Sequence, residues 1–194
     1  MNLSKISLKH SVLVISLAGI ALFFSLGFST QNHNPKIALS SAQADAGFPV
    51  RIRIPKINID TSVEKVGLTP EGAMSVPMYP QDTAWFDLGP RPGELGSSVI
   101  DGHSGYKDNK PAVFDNLGQL QKGDKVYIED EKGEINTFVV RELRNYDPNQ
   151  NAEDVFSSDD GISHLNLITC GGAWDETDKT HSSRLVVFTD KETE

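Results

Sequence analysis

Sulfur is scarce in this sequence: among 194 residues there is one cysteine, Cys170. A single thiol cannot form an internal disulfide, so a disulfide-linked scaffold is excluded. A lone cysteine in an apolar strand is usually an inert, buried, small hydrophobic residue. In an oxidising exterior, however, an unpaired thiol is a liability unless it takes part in chemistry. The rest of the sequence decides between these interpretations.

Positive charge is also in short supply. The 18 Lys and Arg residues are outnumbered by 27 Asp and Glu residues, which gives a net charge of −9. Nucleic-acid binding requires a basic patch, and no run of Lys and Arg interleaved with aromatic residues is present. The glycines form neither a phosphate-binding loop nor a dinucleotide fingerprint, and there is no internal repeat. The composition argues against nucleic acid as a partner.

Part of the acidic charge is concentrated between positions 147 and 160. Its spacing fits no twelve-residue calcium loop, so a solvated acidic face is the expected interpretation. The side chains concerned are the carboxylates of Asp147, Asp154, Asp159 and Asp160 and the neutral amide of Asn149.

One long apolar segment stands near the N-terminus. Residues 11–30 carry no charge, and about 20 residues are enough for one transmembrane helix. Lys5 and Lys9 precede this segment, which predicts an N-terminus inside the cell and a C-terminus outside. The alternative is a cleaved signal peptide with a cleavage site at Ala42-Gln43-Ala44. That site lies well beyond the apolar run, so an uncleaved anchor is favoured.

These features divide the chain into four parts. Residues 1–10 are predicted to be cytoplasmic, and residues 11–30 form the membrane signal-anchor. Residues 31–47 are rich in Ser, Ala, Asn and Gln and are expected to form a flexible tether. Residues 48–194 then form one extracellular globular domain.

Short apolar segments predict that this domain is all-β. Val50–Ile54 alternates apolar and charged residues, which is typical of a half-buried strand. About eight such short strands are expected, with helical turns at 82–86, 114–120 and 152–156. The pattern favours a barrel or a sandwich.

The chemistry centres on the segment around the cysteine. Leu165–Cys170 predicts a strand that ends at Gly171-Gly172, where two glycines allow a sharp turn and leave space beside the sulfur. Arg184 opens the next predicted strand, so a thiol and a guanidinium meet at strand ends. His103 follows another predicted strand, between glycines, in a position that we expect to be exposed.

These residue types suit acyl transfer from a peptide. A nearby cation stabilises the thiolate, which is the nucleophilic form of cysteine. An imidazole such as His103 can protonate a leaving amine, and Arg184 offers fixed donors to a developing oxyanion. Other histidines are weaker candidates, since roughly 20 Å of strand separates His164 from Cys170 and His181 lies on a predicted loop.

Three groups of motifs follow one another along the chain. They are Gly96-Ser97-Ser98-Val99-Ile100-Asp101-Gly102-His103, Phe114-Asp115-Asn116-Leu117 with Gly123-Asp124, and Leu167-Ile168-Thr169-Cys170 with Arg184. In order and spacing these motifs resemble those of the sortases. The resemblance covers roughly residues 50–190, and the Cys-Gly-Gly continuation is most similar to class F. It implies an eight-stranded sortase β-barrel with short helical turns, preceded by one N-terminal transmembrane helix.

The resemblance also implies a reaction and its partners. Surface proteins with a Leu-Pro-x-Thr-Gly-type sorting signal would be cleaved between Thr and Gly, through a thioacyl intermediate on Cys170. His103 would act as general acid and base, and Arg184 would stabilise the oxyanion. An amine from a peptidoglycan precursor or a pilin would complete the transfer, and no metal or organic cofactor is implied. The expected substrate-binding residues are Thr169, Gly171 and Trp174.

One departure and two alternatives stay open. Sortases commonly carry a small residue before the Gly-His pair, whereas Asp101 stands here; its carboxylate would favour the imidazolium form of His103 or simply face solvent. An exported cysteine peptidase of the L,D-transpeptidase type is a weaker match, because Thr169 rather than glycine precedes Cys170. The other alternative is a catalytically silent surface binding module on the same scaffold.

Overall fold

The computed structural model describes residues 46–105, 111–147, 150–175 and 180–193, with residues 173–175 and 180 described by their backbone alone. The predicted membrane anchor, residues 11–30, lies outside these ranges, as does most of the predicted tether. Within the described ranges, no helix is long and apolar enough to cross a membrane.

The described chain is built mainly from strands. Its α-helical structure is one single-turn helix, α1 (Glu153–Phe156), and a 3-10 turn occupies Leu117–Gln119. The strands are β1 (Pro49–Ile54), β2 (Ile59–Val66), β3 (Thr83–Phe86), β4 (Gly96–Gly102), β5 (Lys125–Asp130), β6 (Ile135–Tyr146), β7 (Ser163–Asp175) and β8 (Thr180–Lys191).

These strands close into a barrel in the order β1-β2-β3-β4-β7-β8-β6-β5. Neighbouring strands are antiparallel except for the β2–β3 and β4–β7 pairs, which are parallel. Asp101 lies opposite Ile168 in the β4–β7 pair, so the C-terminal ends of both strands lie at the same edge of the sheet. The predicted all-β, eight-stranded barrel is confirmed.

Apolar side chains from alternate strand positions fill the barrel. Leu165 and Leu167 of β7 are fully buried, and Leu167 is flanked by Ile100 of β4 and Val187 of β8. Each such side chain removed from water contributes roughly 1.5–3 kcal/mol. This core fixes the strand register, and the register decides which residues point outward.

A second apolar cluster covers the outer face of β6, β7 and β8. Val186 and Phe188 pack there against Val155 of α1. The Tyr146 hydroxyl donates to Oδ2 of Asp154 at 2.7 Å and so ties α1 to the end of β6. Because neighbouring strand residues alternate between faces, the side chains on this outer face do not contact the barrel core.

The prediction for residues 82–86 is wrong. They include strand β3 rather than a helical turn, because parallel pairing with β2 and antiparallel pairing with β4 organise the segment. Thr83, Ala84 and Trp85 are buried by this pairing. Tertiary packing therefore overrides the local Pro- and Gly-rich composition from which a loop was expected.

Two further boundaries differ from the predictions. The helix expected at 114–120 is reduced to turns and the 3-10 segment Leu117–Gln119. Strand β7 does not end at Gly171-Gly172 but continues to Asp175, because β8 pairs along its length with one register shift between Gly171 and Trp174. The turn expected at 152–156 is present as α1.

Candidate active site

The cysteine lies opposite an arginine in the sheet. Cys170 on β7 and Arg184 on β8 are direct cross-strand partners, and the next outward pair is Ile168 and Val186. Directly paired residues point to the same face of a sheet, so thiol and guanidinium share the outer surface of the barrel. Strand pairing therefore brings the two groups together, with both residues inside their strands rather than at the ends.

Backbone carbonyls of its own strand hold the Arg184 guanidinium. Nη1 donates to the Ser183 carbonyl at 3.0 Å and to the His181 carbonyl at 3.3 Å. Burial raises the pKa of Cys170 above its ordinary value, and the positive charge of Arg184 offsets part of that rise. The resting protein therefore holds Cys170 mainly as the thiol at neutral pH.

His103 follows the last residue of β4 and is half-buried rather than exposed as predicted. Its Nε2 lies 2.9 Å from the carbonyl oxygen of Pro77. A carbonyl can only accept a hydrogen bond, so Nε2 carries the proton. Nδ1 is then the basic nitrogen of the neutral ring, and the contact fixes the orientation of the imidazole.

Close packing explains the glycine before His103. A Cβ on Gly102 would lie 2.5 Å from Cδ2 of Phe114, a distance that the ring could not accommodate without moving. Asp115, the next residue of that motif, accepts the amide of Gly105 at 2.8 Å. The Phe-Asp motif therefore supports the backbone on both sides of the imidazole.

Hydroxyl groups tie the end of β4 to β7. Ser104 Oγ donates to the Cys170 carbonyl at 2.5 Å, and Thr169 Oγ1 donates to the Gly102 carbonyl at 2.7 Å. Thr169 is 2% exposed and, by strand alternation, points to the face opposite Cys170. Its hydrogen bond to Gly102 therefore helps to fix the distance between β7, which carries the thiol, and the segment that carries His103.

A groove of about 390 Å³ opens over these groups, and Cys170, His103 and Arg184 all line it. Its other lining residues are mostly apolar, as is usual for sites that bind a ligand by burying it. A larger, more open depression of about 930 Å³ lies elsewhere, beside Leu95 and Lys191, and none of the three reactive groups lines it. The apolar lining of the smaller groove comprises Ala73, Met74, Val76, Ala152, Val155, Phe156, Ile168 and Val186.

The remaining predicted site residues lie just beyond the thiol. A Cβ on Gly171 would stand 3.0 Å from Ser183 Oγ, so glycine permits the close approach of β8. The Trp174 backbone pairs with His181, while its side chain lies outside the described part of the structure. His181 belongs to β8 rather than to a loop, and its Nδ1 is 3.4 Å from the Gly172 carbonyl.

His164 has a different environment. Its Nδ1 is 2.8 Å from Oδ1 of Asp190, and its Nε2 is 3.1 Å from both carboxylate oxygens of Asp160. The hydrogen bond from His164 is the main cause that lowers the pKa of Asp160 to about 2. His164 thus links the segment before β7 to β8 through two carboxylates. Among the described residues, no cluster of His, Cys, Asp and Glu could hold a metal ion.

Sequence reasoning did not find the parts played by Ser104 and Pro77. Ser104 follows His103 directly, but nothing in the sequence shows that its hydroxyl reaches a carbonyl 66 residues further on. Pro77 lies 26 residues before His103 and contributes only a backbone oxygen. Neither contact has a local sequence signal.

A closed barrel that presents a thiol, a guanidinium and an imidazole to one apolar groove defines a cysteine-dependent acyl-transfer enzyme. A profile of the sortase domain matches residues 52–192. The chain therefore belongs to the sortase family, and it is a cysteine transpeptidase.

Solved sortase structures share this fold. The lid mutant of sortase A from Corynebacterium diphtheriae is 22% identical with a TM-score of 0.58, over 78% of this chain and 73% of that one. Sortase C-1 from Actinomyces oris is 26% identical with a TM-score of 0.58, over 75% and 74%. Sortase C1 from Streptococcus agalactiae in complex with MTSET is 23% identical with a TM-score of 0.58, over 75% and 67%. A search of curated proteins found no match.

Proposed function

We propose that this sortase cleaves Leu-Pro-x-Thr-Gly-type sorting signals between Thr and Gly and transfers the acyl group to an amine. The observation that carries the proposal is the cross-strand pair of Cys170 and Arg184 in an apolar groove that His103 also lines. Cys170 is the nucleophile, His103 is the general acid and base, and Arg184 stabilises the oxyanion.

The first half-reaction forms the thioacyl intermediate. His103 takes the Cys170 proton, and the thiolate sulfur bonds to the Thr carbonyl carbon. The tetrahedral adduct then collapses, the C–N bond to Gly breaks, and the imidazolium gives its proton to the leaving amine. Because burial raises the pKa of the Cys170 thiol, the thiol is protonated at rest, and the attack requires that His103 take this proton.

Arg184 stabilises the negative charge on the former carbonyl oxygen of the adduct. The guanidinium is preorganised for this role, because the Ser183 and His181 carbonyls already restrain it. Loss of a single oxyanion donor commonly lowers kcat by about 10²–10³-fold. We expect Arg184→Ala to fall in this range.

The second half-reaction transfers the acyl group. An amine of a peptidoglycan precursor or a pilin attacks the thioester, gives a proton to His103 and forms an amide, while the C–S bond breaks and Cys170 recovers its proton. Water in place of the amine would give hydrolysis by the same steps. The apolar lining of the groove suits the Leu and Pro of the sorting signal.

The cellular setting is part of the proposal. Residues 11–30 would hold the enzyme in the cell membrane as a single span with its N-terminus inside, and residues 31–47 would tether the extracellular catalytic domain. The Cys-Gly-Gly sequence supports membership of class F, whereas the similar solved structures are named as sortases A and C.

The test uses the full chain in detergent micelles with a Leu-Pro-Ala-Thr-Gly peptide, with and without triglycine. Mass spectrometry should detect a product in which Thr is joined to triglycine, and this product should vanish in Cys170→Ala. His103→Gln should also lose it, whereas the matched control His164→Gln should retain most activity, because His164 does not line the groove.

The possible results separate the parts of the proposal. Cleavage without transfer would mean that the natural amine differs from triglycine. Cleavage at another bond would contradict the assigned sorting signal. Full activity of Cys170→Ala would refute the mechanism.

A further inference from the structure

An acidic residue lies in the groove beside the reactive groups. Asp101 is half-buried on β4 and lines the same groove as Cys170, His103 and Arg184. In the sheet it lies opposite Ile168, and Ile168 and Cys170 are two residues apart on β7. Strand alternation therefore places Asp101 and Cys170 on one face.

The Asp101 carboxyl interacts electrostatically with all three reactive groups. Burial raises the pKa of Asp101 to about 6, and the charges of His103 and Arg184 oppose that rise. In return, the Asp101 charge raises the pKa of Cys170. The other strand packed against Asp101, β3, places the uncharged Ala84 opposite it, and Tyr146 and Asp147 are the further titratable groups that line the groove.

We propose that Asp101 is a positioning residue of the active site, whose carboxylate stabilises the imidazolium that forms when His103 takes the Cys170 proton and disfavours the Cys170 thiolate in the free enzyme. The inference rests on the roles proposed above for Cys170 and His103. An anion beside the imidazolium stabilises the proton donor that the leaving amine needs. The same anion repels a thiolate, so free enzyme keeps its nucleophile protonated and protected from oxidation.

The unfolding temperature distinguishes this role from a purely structural one. If Asp101 only stabilised the fold, its replacement would lower the unfolding temperature. Its carboxylate is charged at neutral pH although burial disfavours that charge, so the charged form destabilises the folded protein. The sign follows from linkage: a carboxyl whose folded pKa is raised costs stability as pH rises through about 4 to 6. Asp101→Asn should therefore raise the unfolding temperature at pH 7.5 while it lowers turnover.

The first experiment measures thiol reactivity and needs no substrate. The full chain is alkylated with iodoacetamide between pH 6 and 10, and modification of Cys170, the single cysteine, is followed by mass spectrometry. We expect the midpoint for Asp101→Asn to lie about 0.5–1 pH unit below that of the unchanged protein, because a like charge beside the thiolate is removed. Asp101→Glu keeps the charge and should keep the midpoint. Glu71→Gln, which removes an exposed charge outside the groove, is the matched control.

The second experiment measures peptide cleavage against pH. The unchanged protein should gain activity as pH rises through about 6, when the Asp101 carboxylate forms. Asp101→Asn should lack this step and show a kcat lower by about 10-fold with a smaller change in KM, since general acid–base catalysis contributes about 10²–10⁴-fold in all. Faster alkylation together with slower turnover is the expected result.

Two outcomes would overturn the inference. An unchanged alkylation midpoint in Asp101→Asn would show that the carboxylate does not act on the thiol. An unchanged pH profile of turnover would show that it does not act on His103. If no peptide is cleaved by any variant, the proposed substrate is wrong, and the alkylation midpoint still decides whether Asp101 acts on Cys170.

Discussion

Thr169 offers a sharp test of how the site is assembled, because the sortase resemblance and the structure assign it different roles. The resemblance makes Thr169 a substrate-binding residue. In the structure it is buried, and its Oγ1 donates to the Gly102 carbonyl at 2.7 Å. The perturbation is Thr169→Val, which keeps the side-chain shape and removes only the hydroxyl donor.

The expected magnitude follows from this one hydrogen bond. Losing a buried hydrogen bond and leaving its acceptor poorly satisfied costs about 1–2 kcal/mol, and valine leaves no cavity to add to that cost. For a domain of this size the unfolding temperature should fall by about 2–8 °C. Turnover should fall by about 10-fold, because the segment that carries His103 loses one of its links to β7.

The assay combines thermal unfolding, followed by circular dichroism, with peptide cleavage. Thr189→Val is the matched control, since Thr189 is fully buried and its Oγ1 donates to the Leu165 carbonyl at 2.7 Å, away from the groove. The control should lose similar stability and keep its kcat. If Thr169→Val kept full stability but lost activity by 100-fold or more, Thr169 would act on the substrate and the structural argument would be refuted.

Three further variants test other parts of the structure. Arg184→Lys keeps the positive charge but loses the planar guanidinium. The rate constant for acylation in single-turnover assays should therefore fall by about 10-fold or more, and an equal rate constant would argue against oriented donors. The Asp160 carboxylate contributes stability that is present above pH 4 and is lost as pH falls toward its pKa of about 2, and Asp160→Asn should remove this contribution. The unfolding temperatures at pH 3 and pH 7 should therefore differ less in the variant than in the unchanged protein, and an identical difference would contradict this. Gly172→Ala should lower the unfolding temperature, because Gly172 has a φ of +73° and a Cβ there would overlap Ser182 Oγ; no decrease would show that β7 relaxes at this position.

Much of the site was predictable because its determinants are local or periodic. The apolar run before Cys170 and the run after Arg184 predict two strands, and antiparallel pairing of such strands brings thiol and guanidinium together. The order and spacing of the motifs that contain His103, Cys170 and Arg184 indicated the family. The strand count was also predictable, since alternation and turn residues are read within short windows.

The predictions that failed depend on contacts between distant parts of the chain. The proline-rich sequence around Thr83–Phe86 favours a loop. This segment forms strand β3 only because it pairs with β2 and β4. Gly171-Gly172 does not end β7, because β8 supplies backbone partners beyond it. The contact of His103 with the Pro77 carbonyl likewise joins distant parts of the chain, and no sequence pattern around either residue reveals it.

The parallel pairing of β4 with β7 also has a consequence for folding kinetics. The hydrogen bonds that join Ser104 to Cys170 and Thr169 to Gly102 span 66 and 67 residues. Contacts of such long range form slowly, because the chain entropy of closing a large loop is lost before the contact stabilises the fold. The catalytic arrangement therefore appears only once the barrel has closed, and a chain still in the course of folding carries an inactive thiol.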